Sequence, residues 1–148
     1  MADMIIATHH LPIFDNVKVK RFEFEPLSET AQAALARFMT LSPADLGPVS
    51  RHVFAYFQDR QDPDDALTIK TPEDVWAYVS PSAISVEPGD VHPDRWYVAV
   101  EANVPWEVEH GVHMAWENGT DIVRVGPVDG HISNVWAYDD DSLADVVY

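Results

Sequence analysis

Val112-His113-Met114-Ala115-Trp116-Glu117-Asn118-Gly119-Thr120-Asp121-Ile122-Val123-Arg124-Val125-Gly126 consists of two alternating runs joined by Asn-Gly. That pair between such runs is the strongest short-range hairpin signal, because both turn positions need positive φ and these residues tolerate it. A two-residue loop predicts a register. Glu117 falls opposite Thr120, Ala115 opposite Ile122, His113 opposite Arg124 and Gly111 opposite Gly126, with Trp116–Asp121, Met114–Val123 and Val112–Val125 between them. One face of the pair is then mainly apolar and packs on helices. The other holds His113 beside Arg124, a proximity that favours neutral imidazole.

Outward from the hairpin, period-two patterning predicts further strands over 83–87, 96–102 and 132–137. Trp96, Trp106, Trp116 and Trp136 recur once per strand or turn, as anchors of a meander rather than a cofactor box. Upstream the period becomes helical. Ser28 caps a helix running to about residue 40, with Ala31, Ala34, Leu35, Phe38 and Met39 on one stripe. Ser42-Pro43 opens a turn, Gly47-Pro48 interrupts it, and a second helix runs from Pro48 to about residue 60. Its buried stripe is Val49, Val53, Tyr56 and Phe57, and His52 flanks that stripe. Thr71-Pro72-Glu73-Asp74 starts a short third helix that Ser80-Pro81 stops, with Val75, Trp76 and Val79 inward.

Residues 17–25 are strand-like with a change of phase between Val19 and Phe22, which calls for a bulge, strong twist or two short strands. The first dozen residues, including His9-His10, have no period and read as a loose start or an edge strand. Residues 61–65 form a polar loop, and Asp139-Asp140-Asp141 is solvated. The predicted fold is α+β: N-terminal helices packed on a mainly antiparallel twisted β-sheet that ends in a C-terminal β-meander. A length of 148 residues suits one domain, mainly helical with an early strand over 1–70, a short helix plus sheet over 71–148.

Composition narrows the function classes. With 47% hydrophobic residues the chain buries a core without staples, and with no cysteine it has neither disulfides nor thiolate chemistry. The absence of a long apolar run or a signal-peptide pattern sets a cytoplasmic location as the expectation. Net charge is −16 and uneven: residues 1–70 hold ten acids and seven bases, whereas 71–148 hold fifteen acids against Arg95 and Arg124 alone. Such a field repels nucleic acid and anionic membrane; it either serves solubility or steers a basic protein partner.

One region concentrates chemistry. Both hairpin strands end at the Gly111–Gly126 pair, which sets the loops before and after them side by side. Glu107, Glu109 and His110 come from the first loop, Asp129 and His131 from the second, and together they form the candidate site rim. An architectural role, in which these side chains bond loop amides, is the first explanation. A zinc or manganese site ligated by Glu109, His110, Asp129 and His131, with Glu107 as base, is the second. A metal-free acid/base pair and a partner-contact surface complete the set. Phosphate-cradling glycine loops, H-E-x-x-H, G-x-S-x-G and basic–aromatic patches are absent.

Trp106-Glu107, Glu109-His110-Gly111, Asn118-Gly119 and Asp129-Gly130-His131, with Trp76 and the run 96–101 before them, resemble an uncharacterised bacterial domain family over about residues 71–135. The family implies no known activity. It is similar to small acidic immunity-type proteins of polymorphic toxin systems, which implies a basic partner and a non-enzymatic role. On that reading Trp96, Trp106 and Trp136 are the partner-binding anchors. The alternative is a small divalent-metal-binding or metal-dependent hydrolase domain built on the rim.

Overall fold

The structure, a computed structural model, describes residues 4–62 and 67–148. The polar loop expected over 61–65 lies largely outside them.

The chain opens with two strands, β1 (Ile5–Leu11) and β2 (Val17–Glu23), joined by a 3-10 turn over Pro12–Phe14. Helices α1 (Glu29–Phe38) and α2 (Gly47–Arg60) follow, then a 3-10 segment Pro72–Tyr78 and β3 (Ser80–Pro88). The strands β4 (Trp96–Asn103), β5 (Val112–Glu117) and β6 (Asp121–Gly126) complete one six-stranded sheet in sequence order. Every neighbouring pair is antiparallel except β2 and β3, whose parallel ladder is the single bridge Lys20–Ala83. Parallel neighbours need a crossover, and α1 and α2 supply it. A short helix, α3 (Asn134–Tyr138), and a 3-10 turn over Asp141–Leu143 follow.

This corrects the expected N-terminal helices on a C-terminal meander. The chain begins in the sheet, the longer helices sit between β2 and β3, and a third of the sheet's strands come from the first 23 residues. The strand expected over 132–137 is instead the helix α3. Ser133 caps it by accepting from the Trp136 amide at 3.2 Å, and the Asp90 carboxylate accepts the Ile132 and Ser133 amides at 3.0 and 3.2 Å. Those bonds remove the amides a sheet would have used.

Local signals elsewhere form as their chemistry dictates. Ser28 accepts from the Ala31 amide at 3.2 Å, and Ala31, Ala34 and Phe38 are buried beneath α1. Val49, Val53, Tyr56 and Phe57 are buried along α2, which Pro48 helps to begin, since proline lacks only an amide that the first turn leaves unpaired. Thr71 and Asp74 make a reciprocal capping box.

The hairpin turn keeps its chemistry and changes its register. Asn118 and Gly119 take φ of 53° and 85°, but Glu117 pairs with Asp121, and a bulge after Ala115 sets Ala115 opposite Arg124 and His113 opposite Gly126. The bulge restores the phase, so His113 and Arg124 still share a face. The turn rests on α1: a Cβ on Gly119 would lie 2.1 Å from the Ala34 carbonyl oxygen, and Arg37 donates to the Asn118 carbonyl at 2.8 Å.

The main core lies between the sheet and α1 and α2, around Leu11, Val53, Tyr56, Val98, Val100, Met114, Trp116 and Val125. A smaller cluster, Tyr97, Ala99, Ala115 and Ile132, covers the opposite face. That is why β4 and β5 are buried on both sides. Among the described residues no helix is long and apolar enough to cross a membrane.

Candidate functional site

The loops at the glycine end of the β5–β6 hairpin are in contact: the Val128 amide donates to the His110 carbonyl at 3.2 Å. The first loop is pinned from α2, where the buried Tyr56 hydroxyl donates to the Gly111 carbonyl at 2.7 Å. Gly111 itself sits at φ 62° with the Ala102 carbonyl oxygen 2.4 Å from where a Cβ would stand, so only glycine fits this crossing.

The rim side chains nevertheless go to three places. Glu107 joins Arg60 of α2 at 2.8 Å and His110 Nδ1 at 3.1 Å. Burial pushes its carboxyl up, but the bonds from His110 and Arg60 outweigh this and leave it below the usual carboxylate range. A carboxylate held that way is a weak general base. Glu109 and His110 border a shallow polar hollow of about 230 Å³ with Ser82, Glu101, Asn103 and Val128. Asp129 and His131 belong to a third cluster. Among the described residues no three histidine, aspartate or glutamate side chains are placed to hold a metal ion, so Glu109, His110, Asp129 and His131 do not assemble into a zinc or manganese site.

The third cluster is organised by Arg124, a fully buried guanidinium on β6. Its Nη1 and Nη2 donate to Asp129 at 2.9 and 2.7 Å, Nη1 also donates to the His131 carbonyl, and Nε donates to Asn134 Oδ1 at 3.0 Å. Asn134 then donates to the Val146 and Val147 carbonyls at 2.9 and 3.0 Å, and the Val125 amide donates to Val147 at 2.8 Å. One arginine thus ties β6, the following loop, α3 and the last residues together. Burial pushes the Asp129 carboxyl up; the bidentate arginine more than cancels this and holds it low. On the same face His113 is 6% exposed, and its Nδ1 has no hydrogen-bond partner among the described residues. Burial first, then Arg124, against a smaller opposing pull from Asp129, brings its pKa down to about 4.

Sequence reading missed two features. On the inner side of the β1–β2 hairpin, Arg21 Nε donates to His9 Nε2 at 3.0 Å and Arg21 also pairs with Glu23, at the edge of a groove lined by Leu27, Leu35 and Met39. Around α3, Asp90, Val91, Val135, Trp136, Asp139 and Asp141 line a concavity of about 480 Å³. Trp136 and Tyr138 are 58% and 54% exposed. The other expected anchors differ: Trp96 is half-buried against the core, and Trp106 is 5% exposed between Tyr56 and Phe57, inaccessible to a partner.

These observations define a small acidic sheet protein whose internal polar clusters act as ties between loops and whose exposed aromatics include Trp136 and Tyr138 on α3. The chain belongs to the DUF6985 family, a domain of unknown function, which matches residues 6–132. No curated protein and no solved structure matches the chain. The matched span ends just before α3, so Trp136, Tyr138 and the three following aspartates lie beyond it.

Proposed function

We propose that the chain is a non-enzymatic protein-binding module for a basic partner, and that the surface around α3 makes the contact. The observation that supports this reading is the pair of exposed aromatics, Trp136 and Tyr138, beside the exposed Asp139, Asp140 and Asp141. Aromatic anchors inside a charged rim are how binding energy concentrates at protein interfaces. The acids supply the steering, because residues 71–148 contain only two bases among seventeen charged side chains. On the resemblance to small acidic immunity-type proteins read from the sequence, the partner we propose is a toxin with a basic, nuclease-like surface, which an acidic face would occupy in place of its substrate.

The experiment is co-expression with the product of the reading frame immediately upstream, followed by surface plasmon resonance. A stable complex is expected. Trp136→Ala should weaken it by about 2 kcal/mol, near thirtyfold in Kd, and the association rate should fall about tenfold from low to physiological salt. A rate indifferent to salt, or an unchanged Kd for Trp136→Ala, rejects this surface.

A further inference from the structure

The outward face of the β1–β2 hairpin differs in chemistry from the rest of the molecule. Its unbroken register pairs Ile6 with Phe22, Thr8 with Lys20 and His10 with Lys18. Met4 and Phe24 flank the two strands at the Ile6–Phe22 end. All eight residues are exposed, with Ile6 at 56%, Phe22 at 50% and Phe24 at 65%. Four apolar side chains at one end therefore pass into threonine, histidine and two lysines at the other. No carboxylate interrupts them, on a chain that holds 25.

A second observation concerns the backbone. β1 is the end strand of the sheet, so alternate N–H and C=O groups along Ile5–Leu11 face away from β2. Natural edges are usually blunted by proline, an inward lysine, a bulge or a covering segment. Ile5–Leu11 contains neither proline nor lysine, and its register with β2 is unbroken. The β6 edge is treated differently: the Val125 amide is taken by the Val147 carbonyl.

We propose that the β1 edge receives an extended acidic segment of another protein as a seventh strand, with apolar residues at the Met4–Ile6 end and carboxylates beside His10, Lys18 and Lys20. Main-chain bonding supplies affinity in such strand addition, and alternate side chains supply selectivity. Lys18 and Lys20 stand one strand spacing, about 4.8 Å, behind β1, within reach of a carboxylate laid along it. An anionic bilayer or nucleic acid would match the lysines too, but neither offers a strand's backbone N–H and C=O groups to the open β1 edge. A second copy fits worse, because antiparallel two-fold pairing about Thr8 sets Ile6 against the other copy's His10, apolar against basic. This surface is independent of the one around α3 and selects the opposite partner charge.

The test uses the full chain and a synthetic nonapeptide with valine at alternate positions in one half, glutamate at alternate positions in the other, and threonine between. Its counterpart with lysine for glutamate and phosphatidylserine vesicles serve as comparison probes. The glutamate peptide should shift the amide resonances of Ile5–Leu11 and leave α3 unmoved. K18E/K20E, two exposed changes that leave circular dichroism unaltered, should weaken binding about tenfold or more, and the lysine peptide should fail to bind. The proposal is overturned if the peptide shifts nothing at β1 at millimolar concentration, if both peptides bind alike, or if K18E/K20E is without effect. Vesicle binding in place of peptide binding, or dimerisation of the chain alone through the β1 amides, overturns it equally.

Discussion

His113 shows what burial does to a single group. Its imidazole stands next to Arg124, its Nδ1 has no hydrogen-bond partner among the described residues, and its pKa falls from 6.5 to about 4. An unfolded chain takes up a proton there as pH drops below 6.5, while the folded chain refuses it until about 4. Unfolding is therefore favoured progressively across that window, and the contribution is absent above it. His113→Gln should lose this dependence: between neutral pH and about pH 4.5, the wild type should lose about 2 kcal/mol more stability than the variant in urea titrations. Parallel curves for the two proteins would show that the imidazole stays hydrated. Residue chemistry in the rim was legible in kind but not in direction. Glu107 and Asp129 are both engaged, but which cation each finds depends on Arg60 and Arg124, one 47 and the other 5 positions away.

Among the elements, the β5–β6 hairpin is the clearest case of short-range information. Asn118 and Gly119 adopt positive φ because their own chemistry allows it. The bulge after Ala115 and the seating of the turn on α1 depend on what lies opposite, and no pattern within fifteen residues reveals that. Gly119→Ala should cost about 2–3 kcal/mol, since it combines a left-handed backbone with a collision at the Ala34 carbonyl. Thermal melting should show a fall of about 5–10 °C, and an unchanged midpoint would mean that the turn does not rest on α1. α3 is the converse case. Its sequence alternates like a strand, but Asp90, 43 residues before Ser133, accepts the amides that strand pairing would need. Burial pushes the Asp90 carboxyl up, yet the Ser133 hydroxyl and the accepted amides leave it below the usual range, so this cap persists in mildly acidic solution.

For the whole molecule, charge is the property that composition alone sets. At −16 the folded chain repels itself, and most of that charge lies in its second half. Raising salt from low to physiological concentration screens this repulsion, so the melting temperature should rise by several degrees in scanning calorimetry. A fall would mean that ion pairs such as Arg60–Glu107 and Arg95–Glu117 outweigh the general field. Three further properties were beyond the sequence: the parallel joining of β2 to β3, the tie from Tyr148 to Asp59 on α2 across 89 positions, and the burial of Trp106 while Trp136 stays exposed.

By itself the sequence determined the caps, the turn at Asn118-Gly119, the buried stripes of α1 and α2, and the sign and imbalance of charge. Each depends on side chains a few residues apart or on a sum over all of them. Only the tertiary structure decided where the first two strands join the sheet, which cations claim Glu107 and Asp129, and which tryptophan faces solvent. Those outcomes turn on contacts between distant segments, where burial competes with hydrogen bonding and local pattern carries no information.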